Sequence, residues 1–251
     1  MNFDKVLSFN NKVVVVTGGA SGIGESISKA FATQGAAVAV VDLEEEKALR
    51  VAQSLGPLSK SFVCDVSDYV SVQSVSSAIH QEYKRIDVLV NSAGVVALAP
   101  AESLTLEAWN RTININLSGT FFMSQAIGKF MLDQGSGKII NMASQAASIA
   151  LDEHVAYCAS KFGVLGITKV LASEWAGRGV NVNSISPTVV LTELGKKAWD
   201  NPKGDALKKL IPTGRFALPE EIAASALYLS SPAADMINGA DLLVDGGYSI
   251  R

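Results

Sequence analysis

Short, uninterrupted apolar runs recur along this chain, and amphipathic stretches separate them. Val13-Val-Val-Val16 is the first run, β-branched throughout and set between Lys12 and a glycine cluster. A run without polar alternation reads as a parallel strand covered on both faces. From Gly22 to Gln34 the period changes: Ile23, Ile27, Ala30 and Phe31 fall on one helical face, and Gly35 ends the helix. Ala37–Val41 is the next buried strand, closed by Asp42, and a charged helix follows from Glu44 to about Ser54. Ser61–Cys64, helix Val70–Tyr83 and strand Val88–Val90 continue the alternation.

The second half repeats it. Thr105 to about Leu132 reads as mostly helical, Lys138–Asn141 as a strand, Val155–Arg178 as a long helix and Val180–Ile185 as a strand. Pro219 opens a helix, with proline in its first turn, and Asp241–Val244 is the last strand. Strand and helix in alternation from end to end predict an α/β chain, a doubly wound parallel sheet of about seven strands. No linker or repeat divides it, so residues 1–251 read as one domain. The stretch Glu193–Thr213, with its glycines, prolines and lysines, reads as irregular and too long for an ordinary connection; a mobile lid is expected there.

Bulk properties narrow the functional classes. At 48% hydrophobic and 18% charged residues, the 251-residue chain has the composition of a folded protein with a substantial core. A net charge of −3 gives no electrostatic case for nucleic acid or an anionic membrane. No apolar run approaches the roughly 20 residues of a membrane span. The start, Met1-Asn-Phe-Asp-Lys-Val, lacks the pattern of a secretion signal, and two cysteines, Cys64 and Cys158, make a disulfide framework improbable; a reducing cytoplasm is the expectation.

Two segments carry candidate chemistry. Thr17-Gly18-Gly-Ala-Ser21-Gly22-Ile23-Gly24 lies between the first strand and its helix, where a glycine-rich turn lets backbone lie against a pyrophosphate. Asp42, at the end of the second strand, can accept hydrogen bonds from both hydroxyls of an adenosine ribose and would repel a 2′-phosphate. Its neighbours are Leu43, Glu44 and Glu45, and the loop has Ser21 where a basic residue could stand, so NAD is favoured over NADP. The alternative for Asp42 is a helix N-cap. Asp65 has two readings, a cap or an acceptor for the adenine amino group. Leu43 and Val66 are placed with these residues at the cofactor site. Asn91-Ser-Ala93-Gly94 closes the fourth strand with small residues over which a cofactor can pass.

The second segment is Tyr157-Cys-Ala-Ser-Lys161, which puts a phenol and an ammonium one helical turn apart on one face. Oxidation of an alcohol needs a base for the hydroxyl proton. A free tyrosine, with a pKa of about 10, serves poorly near neutrality. A nearby lysine and a positive nicotinamide ring would each stabilise the phenolate. Ser144, after the fifth strand, can hold the substrate oxygen, and Lys161 can also donate to the nicotinamide ribose.

These motifs resemble those of the short-chain dehydrogenase/reductase family, over nearly the whole chain: Thr17-Gly-x-x-x-Gly22-x-Gly24, Asn91-x-Ala93-Gly94, Asn116-Leu-Ser-Gly119, Ser144 and Tyr157-x-x-x-Lys161. The resemblance implies a Rossmann fold and a catalytic tetrad of Asn116, Ser144, Tyr157 and Lys161, with Asn116 supporting a water that relays protons to Lys161. Asn116 is preferred to Asn114 because it precedes Leu-x-Gly. Val190 and Thr192 match positions that hold the nicotinamide carboxamide, and a homotetramer is implied. Pro187-Thr188 departs from the family's Pro-Gly, which leaves the local turn open.

The segment Pro187–Thr192 further resembles polyol and ketose members of the family, such as xylulose reductases and galactitol or threitol dehydrogenases. A polyol or sugar alcohol is therefore the expected substrate, with Gln145 and His154 offering hydrogen bonds beside Ser144 and Tyr157. His154 reads equally as a surface residue. Trp199 and the Leu194 region could line the underside of the lid or simply pack within the loop. The alternatives are a 3-ketoacyl-carrier-protein reductase and, outside the enzymes, an NAD(H)-sensing binding protein. His80 reads as solvated, Cys158 as a buried inert thiol, and Asp245-Gly-Gly247 as a turn after the last strand. No cluster of side chains suggests a metal site.

Overall fold

The valines of the first strand divide between two cores. In the computed structural model, which describes residues 6–250, Val14 and Val16 pack with Phe31 and Ile222 on one side of a sheet. Val15 packs with Ile127 and Leu171 on the other. Successive side chains of a strand point to opposite faces, so an all-valine strand needs cover on both. Burying each such side chain contributes roughly 1.5–3 kcal/mol.

The sheet contains Val13–Thr17 (β1), Ala37–Asp42 (β2), Lys60–Val63 (β3), Val88–Asn91 (β4), Gly137–Met142 (β5), Val180–Pro187 (β6) and Asp241–Val244 (β7). All pairings are parallel, in the order β3-β2-β1-β4-β5-β6-β7. Gly22–Thr33 (α1), Glu45–Ser54 (α2), Tyr69–Tyr83 (α3), Leu106–Ile113 (α4), Gly119–Gln134 (α5) and Val155–Trp175 (α6) follow in turn. Glu193–Trp199 (α7), Pro202–Leu210 (α8) and Pro219–Ser230 (α9) complete the helices. The doubly wound parallel sheet of seven strands expected from the pattern is present. Its strand order reverses between β1 and β4, and a crevice for ligands opens outside the carboxyl ends of such strands.

Three details depart from the sequence reading. Glu193–Thr213 is not irregular: it holds α7 and α8. Thr192 Oγ1 accepts from the Gly195 amide at 3.0 Å, Asn201 Oδ1 accepts from the Gly204 amide at 3.1 Å, and Pro202 stands in the first turn of α8. These caps start helices too short to show a period. His80 is not simply solvated, because its ring stacks on Phe130 with centroids 4.2 Å apart. Cys158 is half-buried rather than buried, and it lines a surface groove of about 570 Å³ with Pro100, Leu151, Val155 and Phe162.

The long helix carries a further qualification. Val155–Arg178, with a mean hydropathy of 1.3, is long and apolar enough to cross a membrane by length and composition. Here its inner stripe, from Ala156 through Val164 to Trp175, packs within the fold, and its last turn tightens to a 3-10 helix over Ala176–Arg178.

Between α4 and α5 the helix does not stop. Asn114–Ser118 forms a π turn, closed by the Gly119 amide donating to the Asn114 carbonyl. Such single wide turns are frequent at functional sites.

Candidate active site at the carboxyl edge of the sheet

The glycine loop crosses the switch point of the sheet. Gly18 has φ of +62°, and a Cβ there would stand 2.9 Å from the Ala93 Cα. A side chain is thus excluded twice, by conformation and by the close approach of β4's end. A Cβ on Gly24 would meet the Gly18 carbonyl oxygen at 2.1 Å, so α1 presses directly on the loop. Thr17 Oγ1 accepts from the Ser92 and Ala93 amides at 3.1 and 3.2 Å, joining the two segments. Ser21 is the N-cap of α1 but makes no side-chain cap bond. The first amides of α1 therefore lack a side-chain partner at the end of the helix that favours anions.

Asp42 is not a helix cap. Its Oδ2 accepts from the Ala20 amide at 3.1 Å and its Oδ1 from the Glu44 amide at 3.1 Å, while Glu44 is the N-cap residue of α2. A carboxylate offers about four acceptor positions, which leaves capacity for ribose hydroxyls. Leu43 beside it is exposed. Asp65 is exposed too, with Oδ1 turned back on the Ser67 amide and hydroxyl at 2.9 and 2.6 Å; the cap of α3 is Asp68. Val66 is buried behind it, and Ile23 packs partly into the core beneath α1.

The side chain of Asn91 does not reach the cofactor edge. Its Nδ2 donates to Ser124 Oγ and to Asn141 Oδ1, both at 2.9 Å, and Asn141 Nδ2 donates to Thr168 Oγ1 at 2.9 Å. The group is buried, and through Nδ2 it holds β4 to α5 and β5, while Asn91 Oδ1 is left without a partner. The smallness of Gly94 does face the site: a Cβ there would come within 3.4 Å of Asn116 Oδ1 and 3.8 Å of Lys161 Nζ.

The structure brings the four tetrad residues together from three elements. Ser144, at the end of β5, accepts from the Ala146 amide at 3.1 Å and starts a 3-10 turn over Gln145–Ala147. The Ser144 hydroxyl lies close enough to Tyr157 to act on its phenol. Lys161 is 5% exposed; its Nζ donates to the Met142 carbonyl at 2.7 Å and lies 5.5 Å from the centre of the Tyr157 ring. Asn116 is 0% exposed in the π turn, whereas Asn114 is exposed.

The electrostatics of the protein alone supply only the lysine part of the pair expected to stabilise the phenolate. Burial pushes the Tyr157 phenol up, and the nearby Ser144 hydroxyl only partly opposes this. Burial likewise pushes the Lys161 ammonium down to about 8. The protein's own residues leave the phenol protonated at neutral pH.

Around this centre two buried polar atoms have no partner, Gln145 Oε1 and Thr188 Oγ1. His154 is the N-cap residue of α6, with its ring edge-on to that of Tyr157 at 6.1 Å. Val190 pairs with Ala217, and Thr192 lies against the glycine loop: a Cβ on Gly22 would stand 3.3 Å from its methyl group. Thr192, the N-cap residue of α7, therefore rests on the loop. Trp199 packs edge-on against Phe216 at 6.0 Å, which is loop packing; the Leu194 side chain lies outside the described residues. The bonds made by Thr17 Oγ1 and the Met142 carbonyl escaped the sequence reading, because a hydrogen bond to backbone leaves no residue pattern.

Comparison with known proteins places this arrangement. A family model described as enoyl-(acyl carrier protein) reductase matches residues 18–249. The chain is 62% identical over 254 residues to D-threitol dehydrogenase of Mycolicibacterium smegmatis, covering 100% of this chain and 98% of the relative. It is 50% identical over 249 residues to an NAD-dependent glycerol dehydrogenase of Listeria innocua, covering 99% and 98%. Among solved structures, a gluconate 5-dehydrogenase of Burkholderia cenocepacia J2315 in complex with NADP and tartrate superposes with a TM-score of 0.94 at 31% identity, covering 98% of each chain.

Proposed function

The chain belongs to the short-chain dehydrogenase/reductase family, and on that premise we propose that it is an NAD-dependent oxidoreductase acting on a secondary alcohol of a polyol. The observation that carries the reading is the convergence of Ser144, Tyr157 and Lys161 beside an uncapped helix N-terminus. The cradle fits a dinucleotide. The α1 amides and Gly18–Gly24 would take the pyrophosphate, Asp42 the adenosine ribose, Lys161 the nicotinamide ribose, and Val190 with Thr192 the carboxamide. Asp65, Leu43 and Val66 would border the adenine, and the backbone of Asn91–Gly94 would pass beneath the sugar. NAD, when bound, supplies the hydride acceptor for oxidation and the donor for reduction.

The protein's residues handle the proton. Tyr157 Oη takes it from the substrate hydroxyl, Ser144 Oγ holds the same oxygen, and Lys161 supplies positive charge that favours the phenolate. Asn116, its side chain bonded within the protein, supports the relay from Lys161 to solvent by holding the π turn beside the ammonium. Gln145 Oε1, buried and unpartnered, is an acceptor for a further substrate hydroxyl, with His154 at the rim. The two helices α7 and α8 form the lid that excludes water. Apolar side chains exposed on α6, Val155, Phe162 and Val170, support a homotetramer, and the free thiols Cys64 and Cys158 support a cytoplasmic setting.

The test is a substrate panel followed by NADH absorbance. Threitol, glycerol and galactitol are expected to exceed a simple secondary alcohol of similar length by at least about 10²-fold in kcat/KM, because a site with polar groups left unpaired rejects the poorer partner. Preference for the simple alcohol, or for a ketoacyl thioester in reverse, would overturn the polyol assignment.

A further inference from the structure

The side chain of Asn116 is fully committed to the protein. Its Oδ1 accepts from the Val95 amide at 2.8 Å. Its Nδ2 donates to the Val95 carbonyl at 2.9 Å and to Ser160 Oγ at 3.1 Å. Both amide hydrogens and the amide oxygen thus have partners. The reversed amide is excluded, since it would set N–H against the Val95 N–H and oxygen against the Val95 carbonyl. Asn116 therefore has no side-chain N–H left for a ligand, and its buried oxygen already has one partner. Its remaining polar group is the backbone carbonyl, which accepts from Thr120 Oγ1 at 2.8 Å.

Ser160 closes this arrangement. Its hydroxyl donates to the Tyr157 carbonyl at 2.7 Å while accepting from Asn116. Ser160 and Asn116 are each 0% exposed, so bulk water does not reach them to replace a lost partner. A continuous path results, from Val95 just beyond Gly94, through Asn116 in the π turn, to the helical turn that carries Tyr157 and Lys161. Gly94, Asn116 and Lys161 already converge within van der Waals reach of one missing Cβ.

We propose that Ser160 is a positioning residue for the proton-transfer step, holding the π turn of Asn116 in register with Tyr157 and Lys161. The proposal rests on the dehydrogenase reading above. Ser160 touches neither substrate nor cofactor; it acts through Asn116. Without its hydroxyl, one Asn116 hydrogen is left unpaired in a dry interior, the π turn is free to relax, and the surroundings of Lys161 Nζ change with it.

Ser160→Ala tests this, because alanine suits a helix interior and leaves α6 intact. In the protein without cofactor, the Asn116 side-chain amide hydrogens, observed by NMR, are expected to exchange at least about 10-fold faster than in the wild type once their partner is gone. With polyol and NAD, kcat is expected to fall about 10-fold with KM and NADH affinity nearly unchanged, the size of a weakened proton transfer. The apparent pKa of the essential base in kcat should rise by about half a unit or more. Ser160→Thr, which keeps the hydroxyl, should restore the pH profile. A wild-type pH profile in Ser160→Ala, or a loss of kcat that only tracks the folded fraction, overturns the proposal. Unchanged Asn116 amide exchange overturns it as well. Absence of polyol turnover in the wild type would instead defeat the functional reading, and the amide exchange would still decide whether Ser160 holds Asn116.

Discussion

The backbone amide of Ala20 donates to the carboxylate of Asp42 at 3.1 Å, so the acid that closes β2 is fastened to the glycine loop that opens α1. The proposed contacts to ribose and to pyrophosphate are thereby one mechanical unit. Asp42→Ala should lower kcat/KM for NAD by about 10-fold or more, as expected for hydrogen bonds to a charged acceptor. It should also narrow the preference over NADP, because the repulsion of a 2′-phosphate is gone. Kinetics with both cofactors check this; a wild type equally active with NADP would refute the role of Asp42.

Tyr157→Phe keeps the ring and removes the proton carrier. Turnover should fall by at least about 10²-fold, while NADH still binds, as measured by fluorescence titration. Near-normal turnover would remove Tyr157 from the mechanism.

Lys161 imposes a pH dependence on folding. Its folded pKa, about 8, lies below the value of 10.5 expected for the unfolded chain, so the unfolded state binds more protons between these limits. The wild type should then gain stability as pH rises from 8 to 10.5, by about 3 kcal/mol for a gap of that size. Lys161→Met lacks the titration and should show no such gain. Urea unfolding of both proteins across this window, without cofactor, measures the difference; parallel curves would show that the ammonium is not held in a desolvated site.

Light scattering at micromolar concentration should report a tetramer, and Val170→Glu should lower the mass by charging a surface that is 55% exposed in the single chain. A wild-type monomer would contradict the assembly.

The strands and most helices were legible because burial on both faces demands β-branched runs such as Val13–Val16 and because the longer helices repeat their period. Of the proposed tetrad, Tyr157 and Lys161 one turn apart and Ser144 after β5 were legible as spacing, whereas Asn116 came only from the family resemblance. What stayed hidden is set by hydrogen bonds between distant segments. Nothing in the sequence pairs Asn91 with Asn141 or Asn116 with Ser160, and these bonds are visible only in the fold. The balance of burial against charge at Tyr157 was hidden for the same reason, since desolvation depends on everything that packs around the phenol.

The π turn at Asn114–Ser118 makes the site a matter of counting. Each residue of a regular helix advances its face by about 100°. Deleting one residue within the turn would leave an ordinary helix, but Asn116 and the buried row of Met123, Ile127 and Met131 could no longer both face inward. The length of this segment, and not only its side chains, thus sets where Asn116 stands.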